Sequence, residues 1–327
     1  MLIVTDISKI PAKNKPIVLA MGCFDGVHIG HQKVISTAVE HAKKIGGNAW
    51  VFTFNPHPAK VLVPHKAPPL ISAEPCRLRK LDALGVQGVI EMPFTLEFAQ
   101  LTPYAFLEDL CRSAPTLSGI VCGQDWSFGH RASGNFQTLE TFGKQHGFTA
   151  TAVAPVMDGR YKISSTTIRK AVSDGDIPLA EKLLGRPFSL FGTVVKGNGI
   201  GRGIGFPTAN IDPLNELLPG PGVYAAYTLL QTSEIRDQRS ASEHPTSPIP
   251  PPTISIPSAV FIGKRKTFGC HEHVIESYLL DFDHDLYGQE LEVSLVCKTR
   301  DTCLFPTKEA LIEQIEKDVA QIRKLLS

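Results

Sequence analysis

The spacing of apolar residues changes character once along this chain, just past its middle. In the first part, apolar runs at residues 49–54, 88–92 and 119–123 alternate with amphipathic stretches at residues 33–45 and 76–84. Short apolar runs are typical of buried strands, and the longer periodic stretches are typical of helices. This alternation predicts a parallel β-sheet wrapped by helices, which is the α/β class of fold.

The second part consists of short strand-like segments separated by glycines. They lie at residues 188–196, 222–230, 274–282 and 291–297. Segments of this length and spacing predict a small antiparallel β-barrel. Apolar residues at helical spacing over residues 308–326 predict a C-terminal helix that closes this part of the chain.

The change of pattern divides the chain into two domains. A chain of 327 residues is long for one hydrophobic core and suits two. We place the first domain at residues 1–184 and the second at residues 185–327. Within the second, residues 231–257 are rich in Ser, Pro, Glu and Arg and predict a disordered insertion between two strands. A proline-rich ligand for a partner domain is the alternative interpretation of this segment.

Charge and cysteine content narrow the classes of function. The net charge of +1 gives no broad field for a nucleic-acid backbone and favours a small charged substrate in a local pocket. No apolar run reaches the length of a membrane span and the N-terminal residues lack a signal-peptide pattern, so we expect a cytoplasmic protein without a membrane partner. The seven cysteines include no Cys-x-x-Cys pair, which fits a reducing compartment. The sequence identifies no protein partner.

The most specific motif is Gly-Cys-Phe-Asp-Gly-Val-His-Ile-Gly-His at residues 22–31. It follows an apolar run at residues 17–21, so we predict that His28 and His31 lie between the carboxyl end of a buried strand and the start of a helix. Open α/β sheets bind ligands at this edge, and the free N–H groups of a first helical turn favour an anion. Gly30 lets a phosphate approach the backbone closely. The motif therefore predicts a nucleotide-phosphate site.

Other interpretations of these histidines stay open. His28 and His31 could merely cap the helix or pack within the turn, since patterns of four residues recur by chance. Zinc binding is a second alternative, but no third ligand lies nearby at metal-like spacing. Cys23, which lies inside the motif, is interpreted as a buried thiol that fills space.

Two loops after further apolar runs carry residues suited to nucleotide or ring binding. Asn55 and His57 belong to an Asn-Pro-His-Pro segment, and His57 is a candidate third donor to a polyphosphate. A rigid proline turn is the alternative there. A glycine-bounded loop offers Trp126 and Phe128 to hold a flat ring, with Asp125 to fix the polar edge of that ring.

The segment Ile-Ser-Ser-Thr-Thr-Ile-Arg at residues 163–169 places hydroxyl groups at a predicted helix entrance. Such residues supply side-chain donors and exposed backbone N–H groups, and Arg169 can bind phosphate oxygens through two N–H groups. Simple N-capping explains one of these hydroxyl groups. It does not explain four in succession followed by an arginine.

These motifs occur in the order found in the adenylyltransferase domain of prokaryotic bifunctional riboflavin kinase/FAD synthetases, which the first domain resembles. The resemblance implies a Rossmann-like nucleotidyltransferase fold that joins FMN to the AMP part of ATP, giving FAD and pyrophosphate. It implies that His28, His31 and Arg169 are catalytic. It also implies that ATP and flavin binding involves a wider set of residues: Gly22, Phe24, Asp25, Gly30, Asn55, His57, Asp125, Trp126, Phe128, Ser165 and Thr166.

The second domain resembles the kinase domain of the same family. Residues 196–210 contain a glycine-rich segment followed by Gly-Phe-Pro-Thr-Ala-Asn. The resemblance implies that Thr208 and Asn210 hold Mg²⁺ and the phosphates of ATP, and Mg²⁺ indeed prefers oxygen ligands together with substrate phosphates. It implies that Glu276 is the general base that accepts the proton of the riboflavin 5′-hydroxyl. The remaining candidate binding residues of the glycine-rich segment are Gly197, Arg202 and Gly205.

The chain departs from the family pattern in two places. Trp126 stands where the family usually has Phe, and Ser127 where it often has Arg; these changes concern the fit of the flavin. Phe261 replaces an asparagine and Lys266 replaces a proline in a segment whose usual sequence in the family is Asn-Ile-Gly-x-Arg-Pro-Thr-Phe. The second departure concerns the kinase reaction. The resemblance otherwise covers nearly the whole chain outside residues 231–257.

The sequence therefore predicts a two-domain enzyme that phosphorylates riboflavin to FMN and then adenylylates FMN to FAD, using ATP and Mg²⁺. Three alternatives remain. The barrel could be a degenerate domain that only binds flavin, which would leave an FAD synthetase. The first domain could belong to another His-x-Gly-His nucleotidyltransferase, such as a cytidylyltransferase. The chain could also be a flavin-responsive binding module without activity.

Overall fold

The computed structural model of the chain describes six stretches of residues: 1–10, 15–159, 161–197, 200–231, 253–267 and 270–327. By their internal contacts these residues form two compact units. The first consists of Met1–Leu70 with Glu74–Ser165, and the second of Ile71–Ala73 with Thr166–Ser327. The domain boundary at residues 184 and 185 stays a prediction.

The first unit is built on a parallel sheet. Its six sheet strands are β1 (Leu2–Val4), β2 (Ile17–Met21), β3 (Asn48–Phe54), β4 (Gly88–Met92), β5 (Leu117–Gly123) and β6 (Thr149–Val153). Two short strands, β7 (Met157–Asp158) and β8 (Tyr161–Lys162), form a separate antiparallel pair. The helices are α1 (Ile29–Lys44), α2 (Pro58–Leu62), α3 (Glu74–Ala83), α4 (Pro103–Ser113) and α5 (Phe136–His146).

The order of the strands explains where a site can form. It runs β1-β4-β3-β2-β5-β6, so the chain leaves β2 toward β3 on one side and later returns to place β5 on its other side. The carboxyl ends of β2 and β5 therefore flank the point where the strand order reverses. Ligands of open α/β sheets bind in the crevice at such a switch point.

β2 is the most buried strand of this sheet. All five of its residues are buried, and they alternate between the two hydrophobic clusters on opposite faces of the sheet. Leu19 joins one cluster and Val18 the other. A parallel strand buried on both faces appears in the sequence as a continuous apolar run. The sequence therefore predicted β2 correctly.

The second unit contains a closed barrel. Its strands are β9 (Phe188–Val195), β10 (Ala209–Pro213), β11 (Gly222–Gln231), β12 (Thr253–Thr267), β13 (Cys270–Leu279) and β14 (Glu290–Arg300). Their order is β10-β13-β12-β11-β14-β9, all pairs are antiparallel, and β9 pairs with β10 to close the ring. The helices are α6 (Ser165–Asp174), α7 (Ile177–Leu184), α8 (Ile200–Gly203) and α9 (Lys308–Leu326).

The predicted fold class is confirmed in both units. A parallel sheet with helices is followed by an antiparallel barrel and a C-terminal helix. None of the helices that the structure describes is long and apolar enough to cross a membrane.

The predicted insertion at residues 231–257 needs a correction at both ends. Gln231 pairs with Thr253 as the outermost pair of the β11–β12 ladder, and the residues from Thr253 onward form the start of β12. From Ile256 to Val260, buried residues alternate with half-buried ones, as expected of a strand with one face in the core. Residues 232–252 lie outside the described part of the chain.

Because Gln231 and Thr253 face each other directly, a tight turn can join them. We predict that replacing residues 232–252 by Asn-Gly, the preferred two-residue hairpin turn, leaves the barrel folded. The melting temperature should change by less than about 4 °C, which corresponds to roughly 1 kcal/mol in a domain of this size. Calorimetry of the full-length variant measures this change.

The matched control also removes Thr253 and uses the same turn. It brings Ile254 opposite Gln231 and shifts the register by one residue, which turns the side chains of β12 to the wrong face. This variant should be clearly less stable than the first. Equal stability of the two would contradict the role of this pair in setting the register.

Candidate functional site

The loop between β2 and α1 is strained and firmly held. Phe24 and Val27 have φ angles of 49° and 42°, in a region that residues with side chains rarely adopt, although both are buried. Strained backbone of this kind is concentrated at functional sites and persists only where surrounding contacts enforce it. The loop thus already differs from an ordinary strand-to-helix connection.

Three side chains from different segments hold this loop through its carbonyl groups. Thr53 of β3 donates its hydroxyl to the carbonyl of Cys23 (3.0 Å), and Ser165 donates to the carbonyl of Asp25 (3.1 Å). Gln32 of α1 donates its amide to the carbonyl of Val27 (2.9 Å). Ser165 thereby ties the predicted Ser-Ser-Thr segment to the predicted phosphate loop.

His28 and His31 lie against each other at the start of α1. Their rings are stacked, with centroids 3.6 Å apart and an angle of 18° between the planes. His28 is the N-cap, and its Nδ1 accepts the backbone N–H of His31 (3.3 Å). The helix therefore begins at Ile29, earlier than the sequence indicated, because His28 itself caps it.

Gly30 is needed here for a reason that the sequence did not suggest. A Cβ atom at this position would lie 3.1 Å from Cε1 of His28, which is tighter than most Cβ contacts. Glycine therefore gives room to the His28 ring. Gly22 has a similar relation to the Phe24 ring, which would lie 3.1 Å from a Cβ atom at residue 22.

The protonation states follow from the burial and the hydrogen bond. Burial lowers the pKa of His31 well below its ordinary value, and the neighbouring His28 lowers it further, so His31 is neutral near pH 7. Since Nδ1 of His28 accepts a hydrogen bond, a neutral His28 carries its proton on Nε2. Nδ1 of His31 is shielded from solvent and has no hydrogen-bond partner among the described residues.

A cavity of about 230 Å³ opens beside the histidine pair. It lies at the carboxyl ends of β2, β5 and β6, where the strand order predicts a ligand site. The predicted residues that line it are Gly22, Phe24, His28, Gly30, His31, Asp125 and Trp126. The structure thus brings the first motif and the glycine-bounded loop into one site.

Trp126 and Phe128 have different places in this loop. Their rings stack with centroids 4.6 Å apart and an angle of 12°. Trp126 borders the cavity, whereas Phe128 is buried in the hydrophobic cluster beneath it and contacts the Phe106 ring. Trp126 is therefore the ring available to a ligand, and Phe128 supports it.

Asn55 and His57 do not line this cavity. Asn55 lies after β3 and directs its amide toward Glu74 (3.4 Å). His57 is the N-cap of α2, and its Nδ1 accepts the backbone N–H of Ala59 (3.2 Å). Thr166 and Arg169 lie on α6, which belongs to the second unit after its first residue.

Cys23 borders the same cavity but does not have the character of a nucleophile. Burial raises the pKa of its thiol to about 11, and the nearby Asp25 carboxylate raises it as well. A thiol with a raised pKa is protonated near pH 7 and unreactive. Among the described residues, no group of three or more His, Cys, Asp and Glu could hold a metal ion.

Two cavities of the second unit share Thr208. One has a volume of about 240 Å³ and mostly apolar walls, to which Phe261, Glu276 and Tyr278 of the barrel contribute. The other, of about 220 Å³, has a more polar lining that includes Arg202. Thr208 therefore stands between an apolar and a polar compartment.

Three candidate residues form one row across neighbouring strands. Asn210 on β10 faces Glu276 on β13, and Glu276 faces Phe261 on β12. Directly opposed residues have Cβ atoms about 4.5–5.5 Å apart. Glu276 is half-buried between the buried residues Ile275 and Ser277, and residues of α9 line the same cavity.

Glycines allow the glycine-rich segment to approach this row. A Cβ atom at Gly197 would lie 2.2 Å from Nδ2 of Asn210, and one at Gly201 would lie 2.4 Å from the carbonyl of Phe206. Gly205 has a φ angle of 92°, which favours glycine. The side chain of Lys266 lies outside the described part of the structure.

An ion pair that lines the apolar cavity was not predicted from the sequence. Arg300 on β14 donates from Nε and Nη2 to the carboxylate of Asp318 on α9, at distances of 2.7–3.0 Å. Asp318 is buried, and Gln314 also donates to it (2.9 Å). No pattern relates a strand residue to a helix residue 18 positions later, so the sequence offered no signal.

Lys162 was also missed. It lines the cavity beside the histidine pair and forms an ion pair with Asp125. Its position directly before the Ile-Ser-Ser-Thr segment was the available signal.

The folds and sites define a class: a two-domain enzyme with an α/β nucleotidyltransferase unit and a β-barrel unit. Models of two protein families match the chain in succession. The model described as FAD synthetase matches residues 10–167, and the one described as riboflavin kinase matches residues 184–326.

Relatives with known names match nearly the full length. The bifunctional riboflavin kinase/FMN adenylyltransferase of Escherichia coli strain K12 is 34% identical over 96% of this chain and 94% of its own. The protein of the same name from Listeria monocytogenes is 35% identical over 98% of this chain and 93% of its own. A solved structure described as a macrolide-efflux protein from Streptococcus pneumoniae has a TM-score of 0.82 and 30% identity, with 98% of both chains covered. The chain belongs to the family of bifunctional riboflavin kinase/FMN adenylyltransferases.

The lowered pKa of His31 predicts a loss of stability in acid. The unfolded chain takes up a proton at this residue near pH 6.5, but the folded protein does so only at lower pH. The free energy of unfolding should therefore fall as the pH drops below about 6.5, by at most roughly 1.4 kcal/mol per pH unit. The variant H31Q should lack this part of the pH dependence.

Urea unfolding at pH 7.5, 6.5 and 5.5 tests this prediction. The two tryptophans, Trp50 and Trp126, both lie in the first unit, so their fluorescence reports its unfolding. His146 is an exposed histidine stacked on Phe142, and H146Q should follow the parental pH dependence. Parallel pH dependence of H31Q and the parent would contradict the prediction.

Proposed function

We propose that the chain makes FAD from riboflavin in two ATP-dependent steps, one in each unit. In the barrel, the 5′-hydroxyl oxygen of riboflavin attacks the γ-phosphorus of ATP, giving FMN and ADP. In the α/β unit, a phosphate oxygen of FMN attacks the α-phosphorus of ATP, giving FAD and pyrophosphate. The observation that carries this proposal is that each unit has its own cavity beside its own motif residues.

In the α/β unit, the histidine pair is suited to stabilise charge on the phosphates. A neutral His28 with its proton on Nε2 is a hydrogen-bond donor, and its position at the start of α1 adds the free N–H groups of a helix. The strained loop keeps these donors in place before ATP arrives. Trp126 offers a ring face for the flavin or the adenine at the edge of the same cavity.

In the barrel, Thr208 marks the place where the two substrates meet. The apolar cavity suits the flat flavin ring, and Glu276 on its wall is the candidate base for the 5′-hydroxyl proton. The polar cavity on the other side of Thr208 suits the nucleotide. Arg202 lies there and can bind phosphate oxygens.

Thr208 and Asn210 are the candidate ligands of Mg²⁺. A hydroxyl and an amide oxygen are of the type that Mg²⁺ accepts, with water and substrate phosphates completing its shell. Gly197 approaches the Asn210 amide so closely that any side chain at residue 197 would clash with it. When bound, Mg²⁺ would neutralise charge on the ATP phosphates.

We further propose a cytoplasmic enzyme that acts on small molecules. The six described cysteines are all free, which fits a reducing compartment.

A second function has one observation in its favour. Phe261, which departs from the family pattern, faces Glu276 and lines the apolar cavity. A barrel that binds flavin without phosphorylating it would leave an FAD synthetase alone. Incubation of the purified chain with riboflavin, ATP and Mg²⁺, followed by chromatographic separation of FMN and FAD, distinguishes the two functions. FMN and FAD should both form; if FAD forms only when FMN is supplied, the second function is correct.

The variant H31A should lose FAD formation from FMN and keep riboflavin phosphorylation. Removal of one donor to a charged transition state costs roughly a hundredfold or more in rate. H146A, which changes an exposed histidine elsewhere in the same unit, should retain both activities. An equal loss of both activities in H31A, or no loss, would contradict the assignment of the adenylyl transfer to this unit.

The variant E276Q should show the opposite pattern. Glutamine keeps the shape of the side chain but cannot accept the hydroxyl proton, and loss of a general base costs roughly 10²- to 10⁴-fold. Riboflavin should still bind, and supplied FMN should still become FAD. E290Q changes an exposed carboxylate on β14 and should behave as the parent. Phosphorylation of riboflavin by E276Q at the parental rate would show that Glu276 is not the base.

A further inference from the structure

The loop that connects β13 to β14 begins with a strained aspartate. Asp281 has a φ angle of 58°, in the left-handed region that Asp and Asn tolerate better than most residues with side chains. Its side chain is 74% exposed, so burial of this side chain does not enforce the conformation. Strained backbone persists only where surrounding contacts hold it, and the contacts of Asp281 therefore matter.

The contact that holds Asp281 comes from α9. Arg323 donates from Nη1 to Oδ2 of Asp281 (2.6 Å) and from Nη2 to Oδ1 (2.7 Å). Two parallel hydrogen bonds of this kind fix a direction, which an ordinary exposed ion pair does not. The adjacent residues Leu280 and Ile322 are buried in one hydrophobic cluster. The helix and the start of the loop are thus joined both in the core and at the surface.

The loop that Asp281 opens lines the polar cavity of the barrel. Residues 283–287 all contribute to the wall of this cavity. The end of the loop is fixed by the barrel, because Leu286 is buried and Gly288 donates its N–H to a carbonyl of β9 (2.9 Å). Residues 283–285 are exposed. The course of these exposed residues therefore depends on where the chain leaves β13, at Asp281.

The helix that carries Arg323 has a fixed place of its own. Near its end, the carbonyl of Leu326 accepts the hydroxyl of Tyr227 on β11 (2.9 Å). Ile315 and Val319 of the same helix line the apolar cavity. The helix therefore forms part of one cavity directly and holds the wall of the other through Arg323.

We propose that Asp281 and Arg323 are positioning residues of the kinase reaction. Their ion pair holds the loop in the conformation in which residues 283–287 form the wall of the nucleotide cavity. Neither residue is among those that line the apolar or the polar cavity in the described part of the barrel, so both act through the loop. The proposal rests on the proposed kinase function of the barrel.

The test measures phosphorylation of riboflavin by the full-length chain with ATP and Mg²⁺, as the sum of FMN and FAD formed. R323Q should raise the KM for ATP by roughly tenfold, because the nucleotide must then order a loop that the ion pair no longer holds. The KM for riboflavin and kcat should change much less. The melting temperature should change by less than about 4 °C, since an exposed ion pair contributes little to stability.

D281N separates positioning from charge, because asparagine tolerates the same φ angle but carries no charge. It should raise the KM for ATP as much as R323Q does. The double variant should raise it no further, since all three changes break one interaction. If D281N lowers the KM for ATP while R323Q raises it, the two residues act only through their charge near the phosphates, and the proposal is wrong. R323K keeps the charge without the two parallel hydrogen bonds and should retain a raised KM for ATP.

The matched control lies on the same helix. Lys317 forms an exposed ion pair with Glu313, and K317M should leave both KM values and kcat unchanged. An unchanged KM for ATP in R323Q would overturn the proposal. An equal increase of both KM values would also overturn it, because that pattern indicates a general distortion of the barrel. Failure of the parent to form FMN or FAD from riboflavin would instead refute the proposed kinase function, and the positioning role with it.

Discussion

The site of the α/β unit depends on one buried strand, β2. It is hydrogen-bonded to a parallel neighbour on each side, and every one of its side chains is buried, so its carboxyl end has a fixed position and direction. The chain must turn from there into α1 within a few residues, and it does so with two buried non-glycine residues at positive φ. Such strain of about 1–3 kcal/mol per residue is maintained only because both ends of the loop are anchored. The stacked histidines are thus placed by the sheet and not by their own contact.

In the barrel, the pairing of strands fixes the positions of the candidate site residues. Its candidate base and its candidate metal ligand lie on neighbouring strands, so the pairing of β10 with β13 fixes their distance. One wall of the apolar cavity comes from α9, which the ion pair of the half-buried Arg300 with the buried Asp318 ties to β14. Burial of such a pair gives little net stability, but removal of one partner leaves an uncompensated charge. The pair therefore fixes where the helix stands against the barrel, and with it the shape of the cavity.

The sequence predicted the elements whose pattern is local. β2, β4 and α9 have the bounds that were expected at residues 17–21, 88–92 and 308–326. β12 was missed because its first residues continue a proline-rich segment, and only pairing with β11 identifies them as a strand. The histidine motif predicted the position of the first cavity, yet the need for Gly30 to accommodate the His28 ring depends on a rotamer that no sequence pattern contains.

Residues brought together from distant parts of the chain account for what the sequence could not predict. The pair of Lys162 with Asp125 joins positions 37 residues apart through the strand order of the sheet. The row of Asn210, Glu276 and Phe261 exists only in the register of the closed barrel. Apart from Lys162, the individual residues could be named from motifs or from departures from the family pattern, but their relation to each other follows from topology.

The chemistry of the two proposed reactions explains why the two sites differ. A hydroxyl group holds its proton firmly near pH 7, so the kinase reaction needs a base, and the barrel places the carboxylate of Glu276 on a cavity wall. The phosphate of FMN is a phosphate monoester with a second pKa near 6, so it is already ionised and needs no base. Its difficulty is the approach of one anion to another. The α/β site accordingly has hydrogen-bond donors at a helix start, which reduce the repulsion between two phosphates without accepting a proton.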